Sequence, residues 1–253
     1  MKNSIKISVI TATYNSENTL IDCMQSFASQ DYNNKEHIVI DGASTDSTTK
    51  ILYEHIENIA VFISERDGGI YDALNKGISH SSGDVIGFLH SDDLFSSTDI
   101  LTAIAASFKD EKVIAVYGDL NYVNKDNLCK IIRKWKSNSF YKLSLFFGWM
   151  PPHPTLFVRR EWYTKIGGFD KRFEISADYD SVLKFFFDPN FKSVYLPRVF
   201  VTMRLGGKSN RSFKFIFRKT IEDFSILKNH GFCFMFSIFI LINKNLRKII
   251  QFL

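Results

Sequence analysis

The chain has 253 residues, of which 45% are hydrophobic, and a formal net charge of +5 at pH 7. This length and apolar content suit one substantial core with an appendage and leave little room for two large independent domains. Residues 207–253 carry nine basic and two acidic residues, whereas residues 1–206 carry 23 basic and 25 acidic ones. The positive charge therefore belongs to the tail, and a body without excess positive charge argues against nucleic acid as a partner.

The amino-terminal half alternates between strand and helix patterns. The periodicity predicts strands at 5–13, 37–40, 61–64, 85–89 and 113–117, and helices at 16–29, 49–56, 71–78 and 99–108. Strands that alternate with helices are joined by right-handed crossovers. We therefore predict an α/β fold with a mostly parallel central sheet and helices on both faces.

The pattern changes after residue 119. Residues 121–135 read as a hairpin, residues 140–158 are aromatic and punctuated by prolines, and residues 161–166 and 179–187 read as helices, with Ser176 as a candidate cap for the second. This part is predicted to be a smaller half that faces the substrate.

The tail is rich in Phe and Ile, and its longest apolar run covers residues 231–242. That run is shorter than the roughly 20 residues that cross a bilayer. With Lys228, Lys244 and Arg247 beside it, the tail could lie as amphipathic helices in an anionic membrane interface. A core helix packed on the body is the equally weighted alternative. We read no signal peptide and no cysteine spacing for disulfides or zinc, and expect a cytoplasmic protein, peripheral on the membrane if the tail binds it.

The segment from Asp84 to Phe95 joins an apolar strand to a polar cluster. The strand delivers His90, Ser91, Asp92 and Asp93 at its carboxyl end. Ligands bind at that edge of open α/β sheets, and paired carboxylates there indicate a divalent metal that holds a phosphate. The chain has neither Gly-x-Gly-x-x-Gly after its first strand nor a Walker motif, so a metal is expected to take over phosphate binding.

Four patterns together resemble the family 2 glycosyltransferases, enzymes of GT-A fold that take a sugar from a nucleotide diphosphate. They are ISVITATYNSENTL from residue 7, VIDGASTDST from residue 39, GDVIGFLHSDD from residue 83 and ADYD from residue 177. Each pattern is weak alone, but their order and spacing are specific. The resemblance covers residues 6–208 and implies one GT-A domain over 1–208, with a nucleotide-sugar half at 1–119, an acceptor half at 120–208, and the separate tail at 209–253.

The resemblance implies a donor site, with a UDP-sugar as the favoured donor. It assigns base, ribose and phosphate contacts to Thr11, Thr13, Tyr14, Asn15, Asp41, Arg66, Asp67, His90, Ser91 and Lys208. Lys76 is an alternative to Arg66 for the phosphate, and Arg66, Asp67 and Lys76 could equally be solvated surface charges. Asp92 matches the metal-binding Asp of the family's Asp-x-Asp motif and would hold Mn²⁺ or Mg²⁺, while His90 stands in place of the first Asp. Capping of the following helix by Asp93 or Asp92 is an open alternative.

The resemblance also implies a catalytic base. Asp178 matches the Asp of the family's Glu-Asp pair, although Ala177 replaces the Glu. Its alternatives are a first-turn Asp that complements the helix dipole, with Asp180 as a rival for either role. His153 would line the sugar or acceptor pocket or be a structural histidine, and Trp149 would stack on a sugar or be buried.

Together these patterns imply an inverting, metal-dependent hexosyl- or N-acetylhexosaminyl-transferase of cell-surface polysaccharide synthesis, with a glycan or lipid-linked acceptor and a membrane surface as partners. Two alternatives stay open at this point. A sugar-phosphate nucleotidyltransferase would also use carboxylates and Mg²⁺, and a non-catalytic nucleotide-sugar-binding partner would need Asp92 but not Asp178.

Overall fold

The structure, a computed structural model, describes residues 4–205 and 213–250. Every strand and helix predicted in the first 119 residues is present. The strands are β1 Ile7–Thr13, β2 Lys35–Asp41, β3 Val61–Ser64, β4 Val85–Phe88, β5 Asp93–Phe95, β6 Ala115–Asn124, β7 Asn127–Trp135, β8 Phe157–Arg159 and β9 Ser193–Arg204. The helices are α1 Leu20–Ala28, α2 Thr48–Glu54, α3 Ile70–His80, α4 Ile100–Ser107, α5 Lys142–Leu145, α6 Arg160–Ile166, α7 Ala177–Phe187, α8 Phe213–Asn229 and α9 Phe234–Ile250.

The described strands form one sheet in the order β3-β2-β1-β4-β8-β6-β9-β5, with β7 paired to β6. The first half is parallel, as predicted: β1 pairs with β2 and β4, and β2 pairs with β3. The chain builds outward from β1 to β3 and then returns to add β4 on the other side of β1. This reversal is a topological switch point, which leaves a crevice at the carboxyl ends of β1 and β4.

The second half of the sheet is mixed. β8 lies antiparallel to β4 and β6, β5 lies antiparallel to β9, and β6 pairs in parallel with β9. The predicted hairpin is confirmed as β6 and β7. Three strands, β5, β8 and β9, were not predicted from the sequence. The proposed division at residue 119 falls inside β6, so the strands of both halves share one sheet.

Two apolar layers cover the sheet. One contains buried residues of α3, α6 and α7, together with Trp149, and the other contains buried residues of α1 and α4. Trp149 is buried, and its indole N–H donates to the Asn138 side chain over 2.7 Å, so the burial alternative for this residue is confirmed. Helices on both faces of a mixed sheet complete the predicted α/β architecture.

Glu36 of β2 lies at the edge of the sheet opposite the crevice and links three strands there. Its carboxylate accepts hydrogen bonds from the Ser82 amide at 2.7 Å and the Ser8 hydroxyl at 2.5 Å, and pairs with Lys6 at 2.6 Å. Burial alone would raise the pKa of Glu36, but these bonds outweigh it and lower the pKa to about 2. The ionised carboxylate therefore ties together the starts of β1, β2 and β4.

The tail helices α8 and α9 pack on the body. Ile226, Leu227, Ile240 and Leu241 are buried in the same apolar layer as α7. Between the helices, Lys244 and Asp223 form a buried ion pair at 2.9 Å. Packing on the core, one of the two alternatives for the tail, is thus confirmed. Among the described residues, no helix is both long and apolar enough to cross a bilayer.

Candidate active site

The polar ends of β1 and β4 meet at the switch point. Thr11 of β1 donates its hydroxyl to the Leu89 carbonyl over 2.8 Å, and the Ser16 and Ser91 hydroxyls lie 2.9 Å apart. These contacts bring the loop after β1 beside the loop that carries His90 to Asp93. Two of the four sequence patterns therefore share one crevice, as the sheet topology requires.

The loop after β1 is also joined to the loop after β2. Asn15 has a positive φ of 50°, and its side-chain oxygen accepts a hydrogen bond from the Thr45 amide at 2.9 Å. Its own amide donates to the Ser44 hydroxyl over 2.8 Å. Asn tolerates this left-handed backbone better than most residues. Asn15 therefore joins the loop after β1 to the loop after β2.

Tyr14, Gly42 and Asp67 lie close together beside this junction, and we call these three residues the candidate base pocket. A Cβ atom on Gly42 would lie 2.7 Å from Asp67 Oδ2 and 3.4 Å from Tyr14 Cδ2, so only a glycine leaves both side chains in place. The Asp67 carboxylate is held in place because its Oδ1 accepts a hydrogen bond from the Gly69 amide at 2.9 Å. An aromatic face next to a carboxylate suits a nucleobase with N–H groups at its edge.

Thr11 and Asp41 face inward, unlike the donor contacts that the resemblance implies. Both are fully buried; the Thr11 hydroxyl lies 2.9 Å from His37 Nε2, besides its bond to Leu89. The Asp41 carboxylate accepts bonds from the Ser44 amide and hydroxyl and, at 2.6 Å, from the Ser64 hydroxyl. These two side chains support the pocket from beneath. Thr13 is also buried, and its hydroxyl has no hydrogen-bond partner among the described residues.

Asp92 and Asp93 have different surroundings. Asp93 begins β5 and is fully buried, while α4 has Asp99 at its N-cap position, so capping by Asp92 or Asp93 is wrong. Burial, reinforced by the neighbouring Asp92 charge, raises the pKa of Asp93 well above its usual range. Asp93 therefore favours its protonated form, which leaves partly exposed Asp92 as the carboxylate for a cation.

Arg204, at the end of β9, is a site residue that sequence reasoning missed. Its guanidinium donates to the Asp92 carbonyl over 3.0 Å and pairs with Asp22 of α1. It is 6% exposed. The sequence holds no local signal for this role, because Arg204 is 112 residues from Asp92 and lies in a strand that the periodicity did not reveal.

Asp178 lies in the first turn of α7, close enough to His90 and His153 that its charge acts to raise the pKa of both. Its Oδ1 is 3.1 Å from the Tyr71 hydroxyl, which also donates to the Ile175 carbonyl over 2.8 Å. Burial alone would raise the pKa of Asp178, but the positive charges of Lys219 and Lys244, with the nearby His153, outweigh it and lower the pKa. Asp178 is therefore ionised at neutral pH.

The rival carboxylate, Asp180, is engaged elsewhere. It pairs with Lys184 at 2.7 Å and lies 3.0 Å from His230 Nε2 in the turn after α8. Asp180 is 3% exposed, which leaves no room for an acceptor hydroxyl beside it. Of the two side chains, Asp178 is partly exposed and Asp180 is buried.

Two neutral histidines line the crevice between the carboxylates. His90 Nδ1 and His153 Nε2 are buried and lack a hydrogen-bond partner among the described residues. Burial lowers the pKa of His90 and brings that of His153 to about 4, although Asp178 acts in the opposite direction on both. Two uncharged imidazoles with unused ring nitrogens indicate a place where a polar ligand completes the hydrogen bonding.

Arg66, Lys76 and Lys208 are the remaining candidates for a phosphate contact. Arg66 is exposed on the loop after β3. Lys76, the other candidate phosphate contact, pairs with Glu65 at 2.8 Å. Lys208 lies outside the described residues.

The side chains available as metal ligands show whether a metal ion fits this site. Across residues 4–205 and 213–250, no three His, Cys, Asp or Glu side chains come together as a ready cage. Asp92, with the unused nitrogens of His90 and His153 close by, instead suits an ion that takes most of its ligands from substrate oxygens and water, as Mg²⁺ does in phosphate-binding enzymes. The residues fit a metal that is shared with a diphosphate.

Comparisons with known proteins agree with this geometry. The sequence profile described as glycosyl transferase family 2 matches residues 8–167. The chain belongs to this family. Its match with an uncharacterised glycosyltransferase of Mycobacterium tuberculosis is 35% identical over 187 residues, 73% of this chain and 70% of the relative. A glycosyltransferase of PGL/p-HBAD biosynthesis from Mycobacterium bovis is 30% identical over 208 residues, 80% of this chain and 78% of that protein.

Solved structures share the fold of this family 2 glycosyltransferase. Staphylococcus aureus TarS 1-349 in complex with UDP superimposes with a TM-score of 0.69 at 19% identity, covering 96% of this chain and 71% of that one. A mannosyltransferase from Pyrobaculum calidifontis in complex with GDP-Man and Mn²⁺ gives a TM-score of 0.68 at 18% identity, covering 96% and 70%. The GT-A fold implied by the sequence patterns is confirmed. The family profile ends before α7, which carries Asp178.

Proposed function

We propose that this glycosyltransferase is an inverting, metal-dependent enzyme that moves a sugar from a UDP-sugar to a hydroxyl of a glycan or lipid-linked acceptor in cell-surface polysaccharide synthesis. One observation carries the proposal. The loops of Tyr14 and Asp92 meet through the Ser16 and Ser91 hydroxyls, 2.9 Å apart, and the carboxylates of Asp92 and Asp178 both act to raise the pKa of His90 between them. The donor would bind on one side of the reacting sugar and the base would act on the other side, as direct displacement requires.

The donor would bind with its base in the pocket of Tyr14 and Asp67. The Tyr14 side chain is 48% exposed, and its ring would stack on the base. The Asp67 carboxylate would accept the imide N–H of uracil, which guanine could match only in another orientation. A UDP complex of TarS, which has the same fold, supports the choice of uridine.

The diphosphate would lie over Asp92. A divalent ion bound there supplies charge that offsets the negative charge on the departing nucleoside diphosphate. Arg204 holds the backbone of Asp92 in place, and the loop that joins β4 to β5 sets the direction of its carboxylate. Mn²⁺ in the complex of the mannosyltransferase of the same fold supports metal use.

Asp178 would act as the general base. As the acceptor oxygen forms its bond to the anomeric carbon, its proton passes to Asp178, and the bond to the diphosphate breaks with its electron pair leaving on the nucleotide. Attack from the face opposite the leaving group inverts the anomeric configuration. The lowered pKa of Asp178 keeps the carboxylate ready to accept that proton at neutral pH.

A donor screen tests the donor and metal assignments. Thermal stability would be measured with UDP- and GDP-sugars, each with Mn²⁺, with Mg²⁺ and with chelator. We expect a UDP-sugar to raise the Tm only with metal present, and Asp92→Asn to lose most of that gain. A gain that is equal with chelator, or retained in Asp92→Asn, would contradict metal dependence at this residue.

The base assignment is tested by turnover. Slow hydrolysis of the UDP-sugar, in which water takes the place of the acceptor hydroxyl, needs no known acceptor. We expect Asp178→Asn to slow it by about 10² to 10⁴ while donor affinity is retained. Asp180→Asn is the matched control on the same helix. Loss in the control but not in Asp178→Asn would reverse the assignment.

The tail supplies an argument for a membrane-bound acceptor. On α9, Met235, Phe239, Ile242 and Leu246 follow the helical repeat and are 73, 41, 54 and 52% exposed. We call these four residues the apolar stripe. Phe147, after α5, extends it, because its ring lies 5.8 Å from that of Phe239. An apolar stripe of this kind on a basic helix suits the lipid interface.

The charges around the apolar stripe favour anionic lipid. The only acidic residues in 207–253 are Glu222, which accepts the Ser176 amide, and Asp223, which is buried in its ion pair with Lys244. Exposed Arg247 follows the stripe on α9, and exposed Lys142 lies at the start of α5. The outer face of the described tail therefore presents apolar and positive groups to its surroundings, which suits a negatively charged leaflet.

Sedimentation with vesicles tests this part of the proposal. Vesicles of equal parts phosphatidylcholine and phosphatidylglycerol should carry the protein down, and a double variant Phe239→Ser with Ile242→Ser should bind at least about fivefold more weakly. Ile131→Ser with Ile132→Ser on exposed β7 is the control. Equal binding by both variants and the parent would refute a membrane role for the apolar stripe.

A further inference from the structure

The helix that carries Asp178 begins without a local cap. Ser176 occupies the N-cap position of α7, but its hydroxyl makes no capping hydrogen bond. The amides before a helix need acceptors when they are buried, because an unpaired buried amide destabilises the fold. The chain satisfies them from elsewhere.

Glu222 of α8 supplies the missing acceptor. Its Oε2 accepts the amides of Ile175 at 2.8 Å and Ser176 at 3.0 Å, and its Oε1 accepts that of Glu174 at 3.2 Å. Hydrogen bonds from three successive amides to one carboxylate fix the backbone directly before α7. The last bonded residue lies two positions before Asp178. The direction of the Asp178 side chain therefore depends on Glu222, which lies 46 positions after Ser176 in the chain.

Lys219, one turn earlier on α8, faces the same place. Its ammonium group donates to the Ser176 hydroxyl over 3.3 Å and lies 4.0 Å from Asp223. From α9, Lys244 reaches over the Tyr179 ring, with its nitrogen 3.2 Å from the centroid, and pairs with Asp223. Two lysines from the tail thus place positive charge under the start of α7.

We propose that the tail is part of the catalytic apparatus, with Glu222 and Lys219 as positioning residues that hold the Glu174–Asp178 segment and aim the Asp178 carboxylate at the acceptor hydroxyl. The inference rests on the proposed role of Asp178 as the base. From the opposite side the Tyr71 hydroxyl, 3.1 Å from Asp178 Oδ1, completes the support. The carboxylate is therefore held between α3 of the body and α8 of the tail.

Titratable groups surround Asp178 on several elements, and each must be considered in a pH profile. They are Tyr71 on α3, His90 after β4, Tyr122 on β6, His153 before β8, Lys219 and Asp223 on α8, and Lys244 on α9. Lys219 is the largest influence that lowers the pKa of Asp178, where burial and Asp223 act to raise it. Removing the Lys219 charge should therefore raise the pKa of Asp178.

The first experiment changes the hydrogen bonds at Glu222 in the full-length chain. Metal-dependent UDP-sugar hydrolysis and UDP affinity would be measured for Glu222→Ala, Glu222→Gln and the control Lys214→Gln at the exposed start of α8. We expect kcat to fall about tenfold or more in Glu222→Ala, with UDP affinity unchanged. The amide oxygen of Glu222→Gln can still accept the Ile175 and Ser176 amides, so its kcat should recover to within about threefold of the parent.

The second experiment separates positioning from folding. In Lys219→Met, the acid limb of the kcat profile should move to higher pH, which loss of stability alone would not cause. The inference is wrong if Glu222→Ala and Lys219→Met keep kcat within about twofold with the limb unmoved while Asp178→Asn is inactive. It is also wrong if loss of kcat only follows loss of Tm, with no recovery in Glu222→Gln. Activity in Asp178→Asn would instead overturn the base assignment itself.

Discussion

The substitution Gly42→Ala tests the nucleobase pocket without replacing Tyr14 or Asp67, the two residues that would contact the base. A methyl group at this position would lie 2.7 Å from Asp67 Oδ2 and 3.4 Å from Tyr14 Cδ2. The second distance is ordinary contact, whereas the first is too short. Gly42 does not have a left-handed backbone, so alanine brings no strain of its own.

The magnitude follows from the contact. To restore an ordinary carbon–oxygen separation, the Asp67 carboxylate must move by roughly 0.5 Å or more, which lengthens any hydrogen bond it makes to the base beyond the optimum. A hydrogen bond to a charged group contributes about 1.5–3 kcal/mol. Losing the lower part of that range weakens donor binding about tenfold. Because the tip of a side chain yields cheaply, stability should change by less than about 1 kcal/mol.

The assay is titration of UDP into the Gly42→Ala protein by calorimetry, with Tm measured in parallel. Gly68→Ala is the control on the neighbouring loop, because its Cβ would lie 3.8 Å from the nearest side-chain atom, an ordinary contact. Its UDP affinity should equal that of the parent. If Gly42→Ala binds UDP as the parent does at unchanged Tm, Asp67 does not contact the base and the pocket is misassigned.

Three predictions concern stability. Gly87→Ala should destabilise the fold by about 3 kcal/mol or fail to accumulate, because its Cβ would lie 2.1 Å from the buried Phe157 ring; a urea midpoint near that of the parent would contradict this close packing. Burial lowers the pKa of His37 to about 3. Below about pH 6.5 this histidine therefore becomes protonated in the unfolded chain but stays neutral in the folded chain. This residue should cost about 2 kcal/mol of stability by pH 5, and urea unfolding of His37→Gln should show a shallower acid loss. The pKa of Glu36 is lowered to about 2, so this carboxylate should stabilise the fold above about pH 4.5 and lose that contribution as the pH falls toward 2. Glu36→Gln should therefore be about 2 kcal/mol less stable than the parent at pH 7, and the two proteins should become equally stable in acid.

Local periodicity was sufficient for the first half of the fold. The strand at Val61–Ser64 has the predicted bounds, and the helix α3 differs by two residues at most. β9 was missed because Pro197 and its half-exposed side chains hide the alternation that marks a strand. β5 has only three residues, too few for any period to show, and it exists because it pairs with β9.

The sequence predicted which loops form the candidate site, but not which side chains in those loops remain free to bind a ligand. Strand ends and motifs led to Tyr14, Asp67, Asp92 and Asp178, which the structure brings to one crevice, although their roles stay predictions. The same reasoning assigned donor contacts to Thr11 and Asp41, which are buried with their hydrogen bonds satisfied internally. The motif fixes the position of a residue at a strand end, but the neighbours that approach from other strands decide which of its bonds remain free for a ligand.

By itself the sequence determined the α/β alternation, the switch-point crevice that follows from it, and the family. Only the tertiary structure showed that Arg204 holds the Asp92 backbone and that Glu222 accepts the amides before α7. The physical reason is the range of each effect. Periodicity arises between residues a few positions apart, whereas a buried amide or carbonyl is satisfied by whatever side chain the fold brings to it, from any distance along the chain.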